Sequence, residues 1–348
     1  MSEATLPGLE TVEPVMPVTD RTPWLERGPQ KRLMLFSGRS NPELAERIAE
    51  KLGVVLGEVE LKTFANGETY VRYDDSIRGS DAFIVQSGNP PVNDHLVELL
   101  IMIQAAKLAS AKRITAVVPW YPYSRQDKKS RPREPITARL VADFLESAGV
   151  DRVLTMDLHA GQIQGFFNVP VDHMTALPLF ATYYRDKGLY GDKIVAVSPD
   201  PGRAKMARRF GQMLEADLAI MNKVRPEHDT AEVTEVIGSV EGKVAILSDD
   251  MIVTGGTLIA GADALMEAGA TEVYACATHG LFPGHSFEKI AASSLVEVTV
   301  TDTVPIDKLN QPDKINVLTV SKLLAETILN VFADDSVSAI FAGENQLF

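Results

Sequence analysis

The run Val244-Ala-Ile-Leu-Ser-Asp-Asp-Met-Ile-Val-Thr-Gly-Gly-Thr257 decides the fold of this chain, together with the apolar, helix-patterned Leu258–Ala268 that follows it. A short apolar strand delivers two carboxylates, and a Gly-Thr turn then opens a helix. Ligands of open α/β sheets bind beyond such carboxyl ends of strands. The backbone N–H groups of Thr254, Gly255, Gly256 and Thr257, with two threonine hydroxyls, form a cradle suited to a phosphate monoester. Asp249 and Asp250 beside it are placed to accept hydrogen bonds from sugar hydroxyls. Thr-Gly-Gly-Thr alone would read equally well as a tight turn and helix cap; the paired acids just before it point to a sugar-phosphate site. A Walker A loop is absent, because no Gly-Lys-Ser/Thr follows a glycine at the required spacing.

Outward from this unit, strand and helix signals alternate. Leu33 to Phe36 is a buried-strand candidate ending in Ser-Gly, and Pro42 to Leu52 reads as an amphipathic helix stopped by Gly53. Ala82 to Gln86, Ile114 to Val118 and Val153 to Met156 are further strands, separated by helices over Leu96–Ala109 and Thr137–Ser147. Alternation of short apolar strands with helices predicts an α/β fold with mostly parallel sheets covered on both faces. The pattern then repeats. Ser37 matches Ser198 and Ser87 matches Ser248, both at an offset of 161. Ala109 to Ala116 parallels Ala268 to Ala275, and Val153-Leu-Thr parallels Val317-Leu-Thr. Ordered pairings at nearly one offset predict two tandem, internally duplicated domains, at 31–178 and 179–348. Residues 1–30 hold five of the 20 prolines without apolar periodicity and read as an N-terminal extension.

Composition narrows the class. The chain has 348 residues, with 34 Lys and Arg against 47 Asp and Glu and a formal net charge of −13, which argues against a general nucleic-acid binder. The single cysteine, Cys276, excludes an internal disulfide framework and a cysteine-based zinc cage. Apolar runs such as Leu99 to Ile103 are far shorter than a membrane span. Residues 1–20 carry Glu3, Glu10, Glu13 and Asp20 and no Lys or Arg, unlike a signal peptide. The expectation is a cytoplasmic protein without membrane or nucleic-acid partners.

Two further segments carry chemistry. Residues 119–136 form a long connection in which Trp120, Tyr121 and Tyr123 precede five basic residues between Arg125 and Arg133. Such loops are usually functional or disordered, and the readings left open are a solvated loop or a nucleotide site with Arg125 on phosphates. In Leu154-Thr-Met-Asp-Leu-His-Ala-Gly-Gln-Ile-Gln-Gly-Phe-Phe167, a strand continuing past Met156 would put Asp157 and His159 on one side. A carboxylate and an imidazole so placed suit contact with Mg²⁺ and a nucleotide, although a lone histidine is as often structural.

These segments together resemble the ribose-phosphate pyrophosphokinase family, from about Lys31 to the C-terminus. The Asp249–Thr257 segment is similar to the phosphoribosyl-pyrophosphate loop shared with type I phosphoribosyltransferases. Ser124-Arg-Gln-Asp-Lys-Lys and Arg133-Glu-Pro-Ile-Thr-Ala are similar to the family's ATP-binding loop, which ordinary phosphoribosyltransferases lack. Asp157-Leu-His-Ala-Gly-Gln-Ile-Gln-Gly-Phe-Phe matches the family nearly letter for letter. The resemblance implies phosphoribosyltransferase-type domains and transfer of pyrophosphate from ATP to ribose 5-phosphate with Mg²⁺. It implies ATP contacts at Phe64, Asn66, Gly67, Glu68, Arg125, Gln126, Asp127 and His159, and ribose 5-phosphate contacts at Asp249, Asp250 and Thr254 to Thr257. It implies metal ligands at His159, Asp200 and Asp157, catalytic cations at Lys223 and Arg225, a lesser role for Asp172, and a homo-oligomer, commonly a hexamer. The alternatives are a phosphoribosyltransferase and a non-catalytic regulatory family member. Three departures stand out. Val253 replaces the usual Asp before Thr-Gly-Gly-Thr, Arg203 replaces the second Gly after Ser-Pro-Asp, and Met206 stands where an Arg is usual. They bear on affinity and regulation more than on reaction class, since a backbone cradle survives the Val253 change.

Overall fold

In the computed structural model, residues 31–224 and 233–337 are described, and two mostly parallel sheets form their framework. The first contains β1 (Leu33–Ser37), β4 (Asp81–Val85), β5 (Arg113–Val118), β6 (Arg152–Met156) and β7 (Val171–Met174), in that spatial order and all parallel. A separate antiparallel hairpin, β2 (Val59–Thr63) with β3 (Thr69–Tyr73), follows helix α1 (Pro42–Leu52). The second sheet runs β10 (Val233–Ile237), β9 (Asp217–Val224), β8 (Ile194–Ser198), β11 (Val244–Ile252), β12 (Glu272–Gly280), β13 (Glu297–Thr301), β14 (Ile315–Leu318), and only β10 is antiparallel to its neighbour.

Strand alternation sends side chains into three apolar layers. In β4, Ala82 and Ile84 enter a cluster with helices α2 (Val92–Leu108) and α3 (Thr137–Ala148), while Phe83 and Val85 enter another on the opposite face. In β11, Ala245 and Leu247 face a third cluster with α6 (Gly256–Glu267), and Ile246 faces the one shared with the first sheet. That shared middle layer is filled by α1, α4 (Leu177–Asp186), α5 (Ala204–Leu214) and α8 (Ser321–Ala333). Helix α1 has the expected bounds for the expected reasons. Pro42 sits in its first turn, the Asn41 side chain accepts from Leu44 N, and Gly53 closes it at φ +69. Its buried Leu44, Ala45, Ile48 and Ala49 form one stripe.

One pairing of the duplicated pattern is corrected. By position in the sheets, β1, β4, β5, β6 and β7 correspond to β8, β11, β12, β13 and β14. Val153 therefore lies in a fourth strand and Val317 in a fifth, so that pairing arose from the shared chemistry of buried strands. The expected division after residue 178 falls inside α4, and one core spans both sheets. Polar cross-links reinforce that core: Asn41 Nδ2 donates to Asp302 O (2.8 Å), Ser87 Oγ donates to Thr303 O (2.6 Å), and Arg47 pairs with Asp302 (2.9 Å). Among the described residues, no helix is long and apolar enough to cross a membrane.

Candidate active site

Strands β8 and β11 lie side by side, but the chain leaves them in opposite directions. After β8 it passes through α5 to β9, and after β11 through α6 to β12. Where connections diverge in this way, a crevice opens at the carboxyl ends of the strands. A cavity of about 300 Å³ lies there, lined by Arg125, His159, Asp200, Arg203, Asp249, Asp250 and the turn Val253 to Thr257.

The turn has the geometry expected of an anion cradle. Gly255 adopts φ +75, a left-handed conformation that glycine takes without penalty, and α6 starts at Gly256 with no side-chain cap. The first amides of α6 are thus left for a ligand to accept from. Asp200 ends the β8 turn, where its Oδ1 accepts from Arg203 N at 3.1 Å. Asp249 and Asp250 are adjacent in β11, and Asp250 N donates to Asp249 Oδ1 at 2.8 Å.

One cluster ties the two halves of the fold together at this point. His159, from the segment after β6, places Nδ1 at 2.9 Å from Asp250 Oδ2 and 2.8 Å from Arg203 Nη2. Arg203 Nη2 also donates to Asp250 Oδ1 at 2.6 Å, and its Nε lies 3.8 Å from Asp249 Oδ1. Nδ1 must carry a proton to donate to the carboxylate and a lone pair to accept from the guanidinium, so Asp250 and Arg203 are rivals for one atom. Burial works against ionisation of Asp250, yet the His159 hydrogen bond and the Arg203 charge hold its carboxyl below the usual range. Burial and the adjoining Asp250 charge push the Asp249 carboxyl up.

Asp157 requires a correction. Strand β6 ends at Met156 and Asp157 turns to φ +32, so Asp157 and His159 do not share a side. The Asp157 carboxylate is buried, accepting from Ala176 N (2.8 Å) and Thr278 Oγ1 (2.6 Å). His173 Nε2 accepts from Leu158 N (2.8 Å), and His279 Nε2 lies 3.1 Å from Met156 O and 3.2 Å from Asp157 O. Asp157 is therefore a buried hub between the sheets that sets the backbone two residues before His159. The hub residues Thr278 and His279 went unnoticed in the sequence because their partners are more than 100 positions away; Arg203 stood out only as a departure.

The remaining candidates are distributed as follows. Arg125 reaches the cavity, whereas Gln126 and Asp127 brace the loop: Thr137 Oγ1 donates to Gln126 Oε1 (2.5 Å), and Gln162 Nε2 to Asp127 Oδ2 (2.6 Å). Phe64, Gly67 and Glu68 line a different cavity of about 710 Å³ with Arg39, Asn93 and Glu98. Asn66 shares their hairpin turn, its Oδ1 accepting from Glu68 N at 3.2 Å. Asp172 pairs with Arg152 on the neighbouring strand (2.7 Å). Lys223 lies in β9, three residues beyond Ile220, the register partner of Ser198 at the end of β8. Arg225 lies outside the described residues.

Among the described residues, no three His, Cys, Asp or Glu side chains converge into a metal cage. His159 and Asp200 instead offer one imidazole and one carboxylate at the cavity wall. The Asp200 carboxylate fits Mg²⁺, a hard cation that keeps several waters and is usually held by one or two carboxylates plus substrate phosphates, and His159 adds a nitrogen donor on the same wall.

Two mostly parallel sheets, the second carrying paired acids and a Gly-Thr turn at the carboxyl end of a central strand, define a phosphoribosyltransferase-type α/β fold. Residues 33–149 match the N-terminal domain of ribose phosphate pyrophosphokinase, and residues 219–342 match the phosphoribosyl synthetase-associated domain. The chain is 50% identical over 307 residues to the ribose-phosphate pyrophosphokinase of Fusobacterium nucleatum, covering 88% of this chain and 97% of that one. It is 52% identical over 309 residues to that of Caldanaerobacter subterraneus, covering 89% and 98%. The crystal structure of phosphoribosylpyrophosphate synthetase from Mycobacterium smegmatis superposes with a TM-score of 0.82 at 47% identity, covering 87% of this chain and all of that one. The chain belongs to the ribose-phosphate pyrophosphokinase family.

Proposed function

We propose that the protein is a Mg²⁺-dependent enzyme converting ATP and ribose 5-phosphate into 5-phosphoribosyl 1-pyrophosphate and AMP. The observation that carries this reading is the meeting, in one cavity, of the Thr254–Thr257 cradle with Arg125 and His159 from the other half of the fold. The cradle takes the 5-phosphate, and Asp249 and Asp250 accept from the ribose hydroxyls. Arg125 and His159 hold the triphosphate, with Gln126 and Asp127 fixing the loop that carries Arg125.

The ribose C1 oxygen forms a bond to the β-phosphorus of ATP while the bond from that phosphorus to the α,β-bridging oxygen breaks. AMP leaves with that oxygen, and the hydroxyl proton passes to water. No protein nucleophile is needed, because such transfers rest on positioning and charge neutralisation. Lys223 and Arg225 supply cations to the pyrophosphoryl group in transit. Mg²⁺, held by His159 and Asp200, supplies further neutralisation of the phosphate oxygens when bound.

The Phe64–Glu68 hairpin lines a cavity other than the one holding the cradle, which supports an adenine contact supplied by a second copy. We place the enzyme in the cytoplasm as a homo-oligomer, a hexamer by family resemblance. The test is incubation with ATP, ribose 5-phosphate and Mg²⁺, followed by separation of the nucleotides. AMP and phosphoribosyl pyrophosphate in equal amounts support the reading. ADP with a ribose bisphosphate makes it a simple kinase, and unchanged ATP makes it a non-catalytic family member.

A further inference from the structure

Arg203 has no counterpart among the residues that the reaction accounts for, yet it lines the cavity. Its side chain is 18% exposed, and it touches Asp250, His159 and, more distantly, Asp249. It immediately precedes α5. Met206, one turn further on, packs against the middle apolar layer, so that position offers no cation to the cavity. Arg203 therefore places a fixed positive charge against the adjacent acids Asp249 and Asp250 lining the cavity.

We propose that Arg203 is the built-in counter-cation of the Asp249–Asp250 pair, and that it sets the enzyme's divalent-cation requirement by competing with the metal for this acidic wall. Three features lead to this. Two adjacent carboxylates in a partly buried cavity attract a cation, and at distances near 4 Å such attraction is strong where solvent is sparse. Arg203 satisfies that demand with hydrogen bonds to Asp250 and His159. It also holds on to His159, a residue the reaction needs for the metal. A divalent cation entering beside His159 meets a neighbouring positive charge, because the Arg203 guanidinium lies 2.8 Å from His159 Nδ1. The proposal rests on the Mg²⁺-dependent reading above. Its consequence is a site that binds metal weakly on its own and well only when substrate phosphates add negative charge.

The experiment measures Mn²⁺ binding to the substrate-free protein by electron paramagnetic resonance at fixed ionic strength. Arg203→Met keeps the length of the side chain and removes its charge, and Arg203→Lys keeps the charge. The expected result is binding tighter by about tenfold or more in Arg203→Met, near-parental binding in Arg203→Lys, and loss of the gain in Arg203→Met/Asp250→Asn. Thermal melts provide a second readout, in which added Mg²⁺ raises the melting temperature of Arg203→Met more than that of the parent. Unchanged or weaker Mn²⁺ binding in Arg203→Met overturns the proposal, as does a gain that survives Asp250→Asn or no detectable binding in any variant. Failure of the parent to form AMP would instead overturn the reaction assigned above, so the two failures are distinguishable.

Discussion

Thr278→Val tests whether the buried hub behind His159 does what its geometry implies. Thr278 Oγ1 donates to Asp157 Oδ2 at 2.6 Å, and both residues are buried, 3% and 6% exposed. Valine has nearly the shape of threonine, so no cavity forms, and the loss is that of one hydrogen bond to a charged acceptor. Such bonds contribute about 1.5–3 kcal/mol, and Asp157 retains the Ala176 N–H at 2.8 Å. The backbone carbonyl of Thr278 still accepts from Thr301 and Thr303, so the β12–β13 contact survives. For a protein of this size the loss corresponds to a melting temperature lower by roughly 2–4 °C. Asp157 holds a positive φ just before His159, so loosening its carboxylate also releases the imidazole. The apparent KM for ATP should therefore rise several-fold, while that for ribose 5-phosphate stays near the parental value. Differential scanning fluorimetry and initial-rate kinetics read both effects, and Thr278→Ser should restore the kinetics because it restores the hydroxyl. A Thr278→Val protein that melts within about 1 °C of the parent and keeps its KM for ATP would refute the reasoning.

Three further outcomes are expected. Lys223→Ala should lower kcat by about 100-fold or more while leaving ribose 5-phosphate binding intact, as calorimetry would register; near-normal turnover would remove Lys223 from the chemistry. Gly255→Val should weaken ribose 5-phosphate binding by about tenfold through backbone strain of roughly 1–2 kcal/mol, because φ is +75 and a Cβ meets only ordinary contacts at 3.4 Å from Ile290. Unaltered affinity would argue against the turn as the phosphate cradle. Acid stability follows from His173, which burial lowers from an ordinary value near 6.5 to about 4. The unfolded chain binds that proton first, so the contribution is whole above pH 6.5, declines as pH falls toward 4, and amounts to about 3 kcal/mol at most. Buried His279 shifts the same way. In urea denaturation between pH 7 and 4.5, His173→Gln should flatten this decline; an unchanged slope would contradict the assignment.

The sequence revealed those parts of the molecule whose physics is local. Helix α1 carries its proline, asparagine cap and closing glycine within the span Asn41 to Gly53, and the Asp249–Thr257 turn announces itself through adjacent acids and glycines. What escaped was set by contacts between distant segments. Whether Asp157 faced a ligand depended on β6 ending at Met156, and Thr278, which helps hold its carboxylate, is 121 positions away in the chain. Arg203 could be seen as unusual, but its partners became visible only once β8 and β11 were neighbours and His159 was brought in from the other sheet. The Val153–Val317 pairing failed for the opposite reason: buried parallel strands share one apolar vocabulary, so local similarity carries no strand order.

The account depends most on one pocket receiving both substrates, and a crystal structure with ribose 5-phosphate, Mg²⁺ and a non-hydrolysable ATP analogue tests that directly. The expected result is the monoester seated on the amides of Thr254 to Thr257, its C1 hydroxyl turned toward the β-phosphorus of an analogue held by Arg125 and His159. A pentose bound away from that turn, or an analogue whose β-phosphorus lies out of reach of C1, would contradict it.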